Sequence, residues 1–148
     1  MIQRIQTVYL LLSFVILLLM LFLPLFEFNS GDYIFNSFQI QSKASTESIA
    51  TFPIGIYIIL TLVAHIFAII LFKNRVLQMR ITTFLSIFLI GFYALLAFYY
   101  FVVINFEITE VKAQITLLIP LISAILVFMA NKGIKKDEKL VRSADRIR

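Results

Sequence analysis

The 148-residue chain has no cysteine and no tryptophan, one histidine, four glycines and three prolines, and only 14% of it is charged. Without cysteine there are no disulfides, zinc–thiolate sites, iron–sulfur ligands or thiol nucleophiles. A soluble domain carries about 25% charged residues, so this chain has too little charge to cover a water-soluble fold. What fills it is apolar: 61% of residues are hydrophobic, 16 are phenylalanine, and the mean hydropathy is +1.01.

The apolar residues fall into four runs, at about residues 5–26, 54–72, 81–104 and 114–130. Each approaches the roughly 20 residues that cross a hydrocarbon core about 30 Å thick. The sequence thus predicts an all-α integral membrane protein: one four-helix domain over residues 1–148. Pro53 suits the first turn of the second helix, where no amide donor is needed. The first run is longer than the 7–15-residue core of a signal peptide, and no small-x-small cleavage site follows Pro24, so it reads as a retained anchor.

The charges assign sides. Both ends and the loop at 73–80 hold Arg4, Lys73, Arg75, Arg80, Lys132, Lys135, Lys136, Lys139, Arg142, Arg146 and Arg148 against three acids, a net +8. The loops at 27–53 and 105–113 hold Lys43 and Lys112 against five acids, a net −3. Excess Lys and Arg mark the cytoplasmic side, so the expected location is a bacterial inner membrane with both termini cytoplasmic.

On the outer side, Asn29-Ser30-Gly31-Asp32 is a turn signal between Phe26-Glu27-Phe28 and Tyr33-Ile34-Phe35, which predicts a β-hairpin. Phe38-Gln39-Ile40-Gln41 and residues 104–109 alternate like half-buried strands and extend the expectation to a small antiparallel sheet. Residues 42–51 are polar and small and read as a mobile connection.

The tail, residues 131–148, places Leu140, Val141, Ala144 and Ile147 on one stripe, with charge pairs at favourable helical spacing. It reads as an amphipathic cytoplasmic helix beginning near Gly133, which offers a break from the fourth span. Arg4, Lys135, Lys136, Lys139, Arg142, Arg146 and Arg148 are its candidate contacts with a partner protein or with anionic lipid. The net charge also raises contact with nucleic acid or a ribosome, but no aromatic residue interleaves these charges as strand-binding surfaces require.

Within the spans the chemistry is sparse. His65 is the one mid-span ionisable residue, one turn after Thr61. Its functional readings are proton relay, metal ligand or haem ligand; its structural reading is a neutral imidazole bonded to Tyr, Ser or Thr of a neighbouring helix. Ser13, Ser86 and Ser123 lie in no nucleophile turn. Pro120 removes an amide from the fourth span and predicts a kink. No cofactor, metal or catalytic residue is expected.

The opening Met1-Ile2-Gln3-Arg4-Ile5-Gln6-Thr7-Val8-Tyr9-Leu10-Leu11 and the closing segment from Ile134-Lys135-Lys136-Asp137 through Asp145-Arg146-Ile147-Arg148 resemble an uncharacterised family of short four-span membrane proteins from Bacteroidota, a domain of unknown function. The resemblance implies an inner-membrane location and no known activity. The preferred function is a non-enzymatic accessory or scaffolding subunit of a larger envelope complex, in protein translocation or membrane-protein assembly, with other inner-membrane proteins as partners. The alternative is a lipid- or small-molecule-binding membrane protein using His65, Thr61 and Pro120.

Overall fold

A computed structural model describes residues 3–28, 32–42, 48–103 and 111–145. Four helices, α1 (Gln3–Met20), α2 (Phe52–Ile70), α3 (Arg75–Phe98) and α4 (Ile119–Asp145), form a bundle capped at one end by a five-stranded sheet. Three stretches are long and apolar enough to cross a membrane: Phe52–Lys73, Arg75–Phe101 and Ile115–Val141. The apolar part of α1, Ile5–Met20, is shorter. Large apolar side chains such as Phe22, Phe84, Phe101 and Ile115 lie open on the outside of the bundle.

The first apolar run is not one helix to residue 26. It closes at Met20 with Leu21 and Phe22 amides donating three residues back, and Phe26 already belongs to a strand. Pro24 explains the stop, because it cannot donate and it bars its predecessor from helical geometry. The sheet takes over the freed backbone: the Ser37 hydroxyl donates to the Met20 carbonyl at 3.2 Å, and the Leu25 amide to Phe35 at 2.8 Å.

The predicted loop at 73–80 is largely helix. After α2 a 3₁₀ turn at Leu71–Lys73 leads straight into α3, because the Asn74 side chain caps it by accepting from the Leu77 amide at 3.3 Å. The C-terminal end of α3 widens into a π turn at Tyr99–Val103.

A 3₁₀ turn at Ile115–Leu118 leads into α4, and Pro120 is the second residue of that helix. There an amide has no intrahelical acceptor to lose. The Thr116 carbonyl, four residues before Pro120 and so without that donor, accepts from the Ile119 amide. Nor does Gly133 interrupt anything: α4 runs unbroken from Ile119 to Asp145, so most of the supposed separate tail is the last third of one helix.

The sheet is antiparallel throughout, in the order β4-β3-β2-β1-β5: β1 (Phe26–Phe28), β2 (Tyr33–Phe35), β3 (Gln39–Ser42), β4 (Ser48–Ala50) and β5 (Val111–Ala113). The β1–β2 hairpin lies where the sequence predicts it, pairing Phe26 with Phe35 and Phe28 with Tyr33. Phe28, Phe35 and Ile40 are buried beneath the sheet, and Phe35 meets Tyr99 edge to face at 6.4 Å. Two strands differ from expectation. The polar segment after Ser42 includes β4, which pairs with β3. The strand expected at 104–109 lies outside the described residues, while Val111–Ala113 supplies the edge strand beside β1 and sets Lys112 opposite Glu27. Phe38 lies on Gly55 so closely that its ring fills the place of a Cβ, which fastens the sheet to the start of α2.

Candidate functional site

Two polar clusters interrupt the apolar interior. The first is at mid-bundle. Ser13 of α1, His65 of α2 and Ser123 of α4 are each fully buried. His65 Nδ1 lies 2.8 Å from the Thr61 carbonyl oxygen, an acceptor only, so in the neutral ring Nδ1 carries the proton. His65 Nε2, 2.9 Å from Ser13 Oγ, then accepts from that hydroxyl. The Ser13 and Ser123 hydroxyls also face each other's carbonyls at 3.4 Å.

The cluster continues outward through the backbone. Thr61 Oγ1 donates to the Tyr57 carbonyl, and Tyr57 OH donates to the Phe88 carbonyl of α3, both at 2.8 Å. All four helices are thereby tied to one another by short polar side chains. Nothing in this arrangement leaves a ring nitrogen facing open space. The nearby void, shared by Thr61, Tyr57, Phe92 and Pro120, measures about 10 Å³, no more than a single water needs. Among the described residues no three His, Asp or Glu side chains converge as a metal site.

The second cluster is at the basic end, where α1 begins and α4 ends. Gln6 Nε2 donates to Asp137 Oδ2 at 2.8 Å, with both residues buried. Gly133 makes the contact feasible: a Cβ there would stand 2.9 Å from Gln6 Cγ. Arg75 approaches the Asp137 carbonyl at 3.5 Å. Deeper in, Gln78 Nε2 donates to the Ala68 carbonyl and Asn131 Nδ2 to Thr83 Oγ1, both at 2.9 Å. Asn131 Oδ1 is buried without a donor.

Of the residues singled out from sequence, His65 and Thr61 meet in the first cluster, while Pro120 shares only the small void with Thr61. Lys135, Lys136 and Lys139 are exposed on α4. Arg4 and Arg142 are placed on α1 and α4 by their backbone alone, and Arg146 and Arg148 lie outside the described residues, as does Ile147 of the tail stripe. Leu140 and Val141 of that stripe are exposed.

Ser13 and Ser123, weighed as nucleophiles, are instead partners of the histidine. Gln6, Gln78, Asn131 and Asp137 were not singled out. The available signal was their spacing: Gln78, Thr82 and Ser86 repeat every four residues, and Asn131, Ile134 and Asp137 every three, which marks inward faces.

A family model described as Domain of unknown function (DUF4293) matches residues 2–147. The chain belongs to this family. None of the curated proteins matches it. The match covers all four helices and all five strands, so both polar clusters lie within the DUF4293 domain.

Proposed function

We propose that this chain is a four-span inner-membrane protein with both termini in the cytoplasm, and that it works without catalysis as an accessory or scaffolding subunit of a larger envelope complex. Protein translocation or membrane-protein assembly is the proposed setting. The observation that carries this reading is the end of α4. Up to Asp137 the helix is held by the bundle; beyond it Leu140 and Val141 are 55% and 43% exposed beside the cations Lys135, Lys136 and Lys139. An apolar pair on a projecting, basic helix suits a helix-in-groove contact with another protein.

Three further features support the architecture. The 18 residues of α1 rise about 27 Å, near the thickness of a hydrocarbon core. The open apolar side chains around the bundle match a lipid boundary. The net +8 at the ends and the α2–α3 connection opposes the net −3 of the sheet side. In favour of a non-enzymatic role, both ring nitrogens of His65 are engaged by the bundle itself.

The test is affinity purification, in mild detergent, of the full chain and of a chain ending after Lys139. This cut keeps Ile134 and Asp137, which the fold uses. The full chain should recover a partner in stoichiometric amount, and the shortened one should lose it while inserting and melting as before. Equal recovery by both would refute the docking role.

A further inference from the structure

Beyond Met129 the outward side of α4 changes its chemistry without changing direction. Leu121, Ile122, Ile125, Phe128 and Met129 are between 44% and 62% exposed. At about 100° per residue they share one arc of about 120° on the helix. Lys132, Lys135, Lys136 and Lys139 are all exposed, and they fall in an arc of about 100° centred within about 30° of the apolar one. The face that meets lipid chains thus turns from apolar to cationic at a single position, Lys132. The two acids of the stretch lie on other sides. Asp137 is buried against Gln6, and Glu138 lines the cleft beside the α2–α3 turn.

The depth of these lysines follows from helix geometry. Four 3₁₀ residues and then α-helix carry the chain about 28 Å from Ile115 to Lys132. A hydrocarbon core is about 30 Å thick, and each headgroup layer is about 5–8 Å. With the 80%-exposed Ile115 at one edge of the core, Lys132 stands at the other. Lys135 and Lys136 follow about 4.5 and 6 Å further along, inside the headgroup layer, whereas Lys139, about 10 Å on, has left it. The stems of the first three lie along acyl chains while their ammoniums meet phosphate oxygens.

We propose that the Lys132, Lys135 and Lys136 face of α4 is a preferred site for an anionic phospholipid in the leaflet on the basic side of the bundle. Its acyl chains run down Phe128, Met129 and Ile125, and its phosphate lies among the three ammoniums. Net charge is what this face selects: a zwitterionic headgroup brings a cation of its own, and the face offers that cation no acid. The inference rests on the reading of the bundle as membrane-inserted. It is independent of protein docking, because the cut after Lys139 that tests docking keeps all four lysines.

The absence of tryptophan supplies the experiment. Phe128→Trp puts a single indole on the lipid face one turn before Lys132, and Leu121→Trp puts one on the same face about 16 Å from Lys132, toward the sheet. The full chain is reconstituted in phosphatidylcholine vesicles holding a minor share of either dibrominated phosphatidylglycerol or dibrominated phosphatidylcholine, which quench an indole they touch. At position 128 the brominated phosphatidylglycerol should be enriched at least about fivefold over the phosphatidylcholine, the increment of one basic residue near a charged surface. At position 121 the two should quench alike. Lys132→Gln, Lys135→Gln and Lys136→Gln together should abolish the preference, while Lys139→Gln should change it by no more than about twofold, since it stands outside the headgroup layer. All four changes are at exposed positions, and melting temperature reports that each variant is folded.

Equal quenching by the two lipids at position 128 would overturn the proposal and leave the face to an acidic protein surface. A preference that survives the triple variant, or one equally strong at position 121, would overturn it too, since it would then come from the net charge of the chain and not from this face. An indole at 128 that neither lipid quenches would instead refute the membrane reading beneath it.

Discussion

Replacing His65 with Leu tests whether the mid-bundle cluster is structural. The substitution removes the α1–α2 hydrogen bond from Ser13 Oγ, at 2.9 Å, and the ring's bond to the Thr61 carbonyl. The second loss is minor, because that carbonyl keeps its ordinary acceptor role within α2. The first costs about 0.6 kcal/mol on average for a bond between membrane helices, and up to about 1.7. Ser13 falls back on the Ser123 carbonyl at 3.4 Å, and refitting a different shape adds up to about 1.5 kcal/mol.

The sum is about 0.6–3 kcal/mol, or a fall of roughly 1–12 °C in melting temperature for a chain of this size. Ser13→Ala should cost as much or more, about 1–3 kcal/mol, since it leaves Nε2 buried without a donor. Once Ser13 is Ala, the further change of His65 to Leu should cost almost nothing, because the orphaned nitrogen goes with it. Thermal unfolding in detergent of the two single variants and the double variant measures this directly. Additive single costs, or a His65→Leu variant as stable as the parent, would refute the structural account. Loss of a cellular phenotype without loss of stability would move the function to the histidine.

Gly55→Ala should displace the Phe38 ring and cost about 1–3 kcal/mol by overpacking; faster amide exchange in β3 and β4 with α2 unchanged is the expected sign. Gln6→Ala should leave the Asp137 carboxylate buried without its amide partner, at a cost of about 1–3 kcal/mol; an unchanged melt would show that the contact holds nothing. Because the chain has no cysteine, single cysteines report topology cleanly. A cysteine added before Met1 and Ser143→Cys should react with an impermeant thiol reagent from one side and Asp32→Cys from the other, whereas reaction of the two ends from opposite sides would reduce the spans to three.

The helices were legible wherever a long apolar run has one dominant use. Phe52–Ile70 reads as a span because nothing in it favours any other structure, and the β1–β2 hairpin reads from Asn29 to Asp32 because turn residues carry their own geometry. The boundaries were not legible where hydropathy is blind to backbone. Leu25 and Phe26 are as apolar as the helix before them, yet Pro24 hands them to a sheet. Arg75 to Arg80 carry two arginines and a glutamine, yet the Asn74 cap makes them helix. Val111–Ala113 is too short for any pattern and becomes a strand only because β1 lies beside it.

The polar clusters show the same division between composition and pairing. His65 stands out as the single mid-span ionisable group, and the expectation of a Ser, Thr or Tyr partner on a neighbouring helix narrows to Ser13 only when the relative depth of α1 and α2 is known. Ser13 and Ser123 sit alone in apolar sequence and acquire a purpose only in three dimensions. Asp137 was legible as tail charge and illegible as a buried acceptor for Gln6, whose sequence neighbours give no hint of a residue 131 positions away. That single contact changes what the end of the protein is: Ile134 and Asp137 are committed to the bundle while Lys135, Lys136, Lys139, Leu140 and Val141 are exposed between and beyond them, so a truncation that removes Asp137 would report folding instead of recognition.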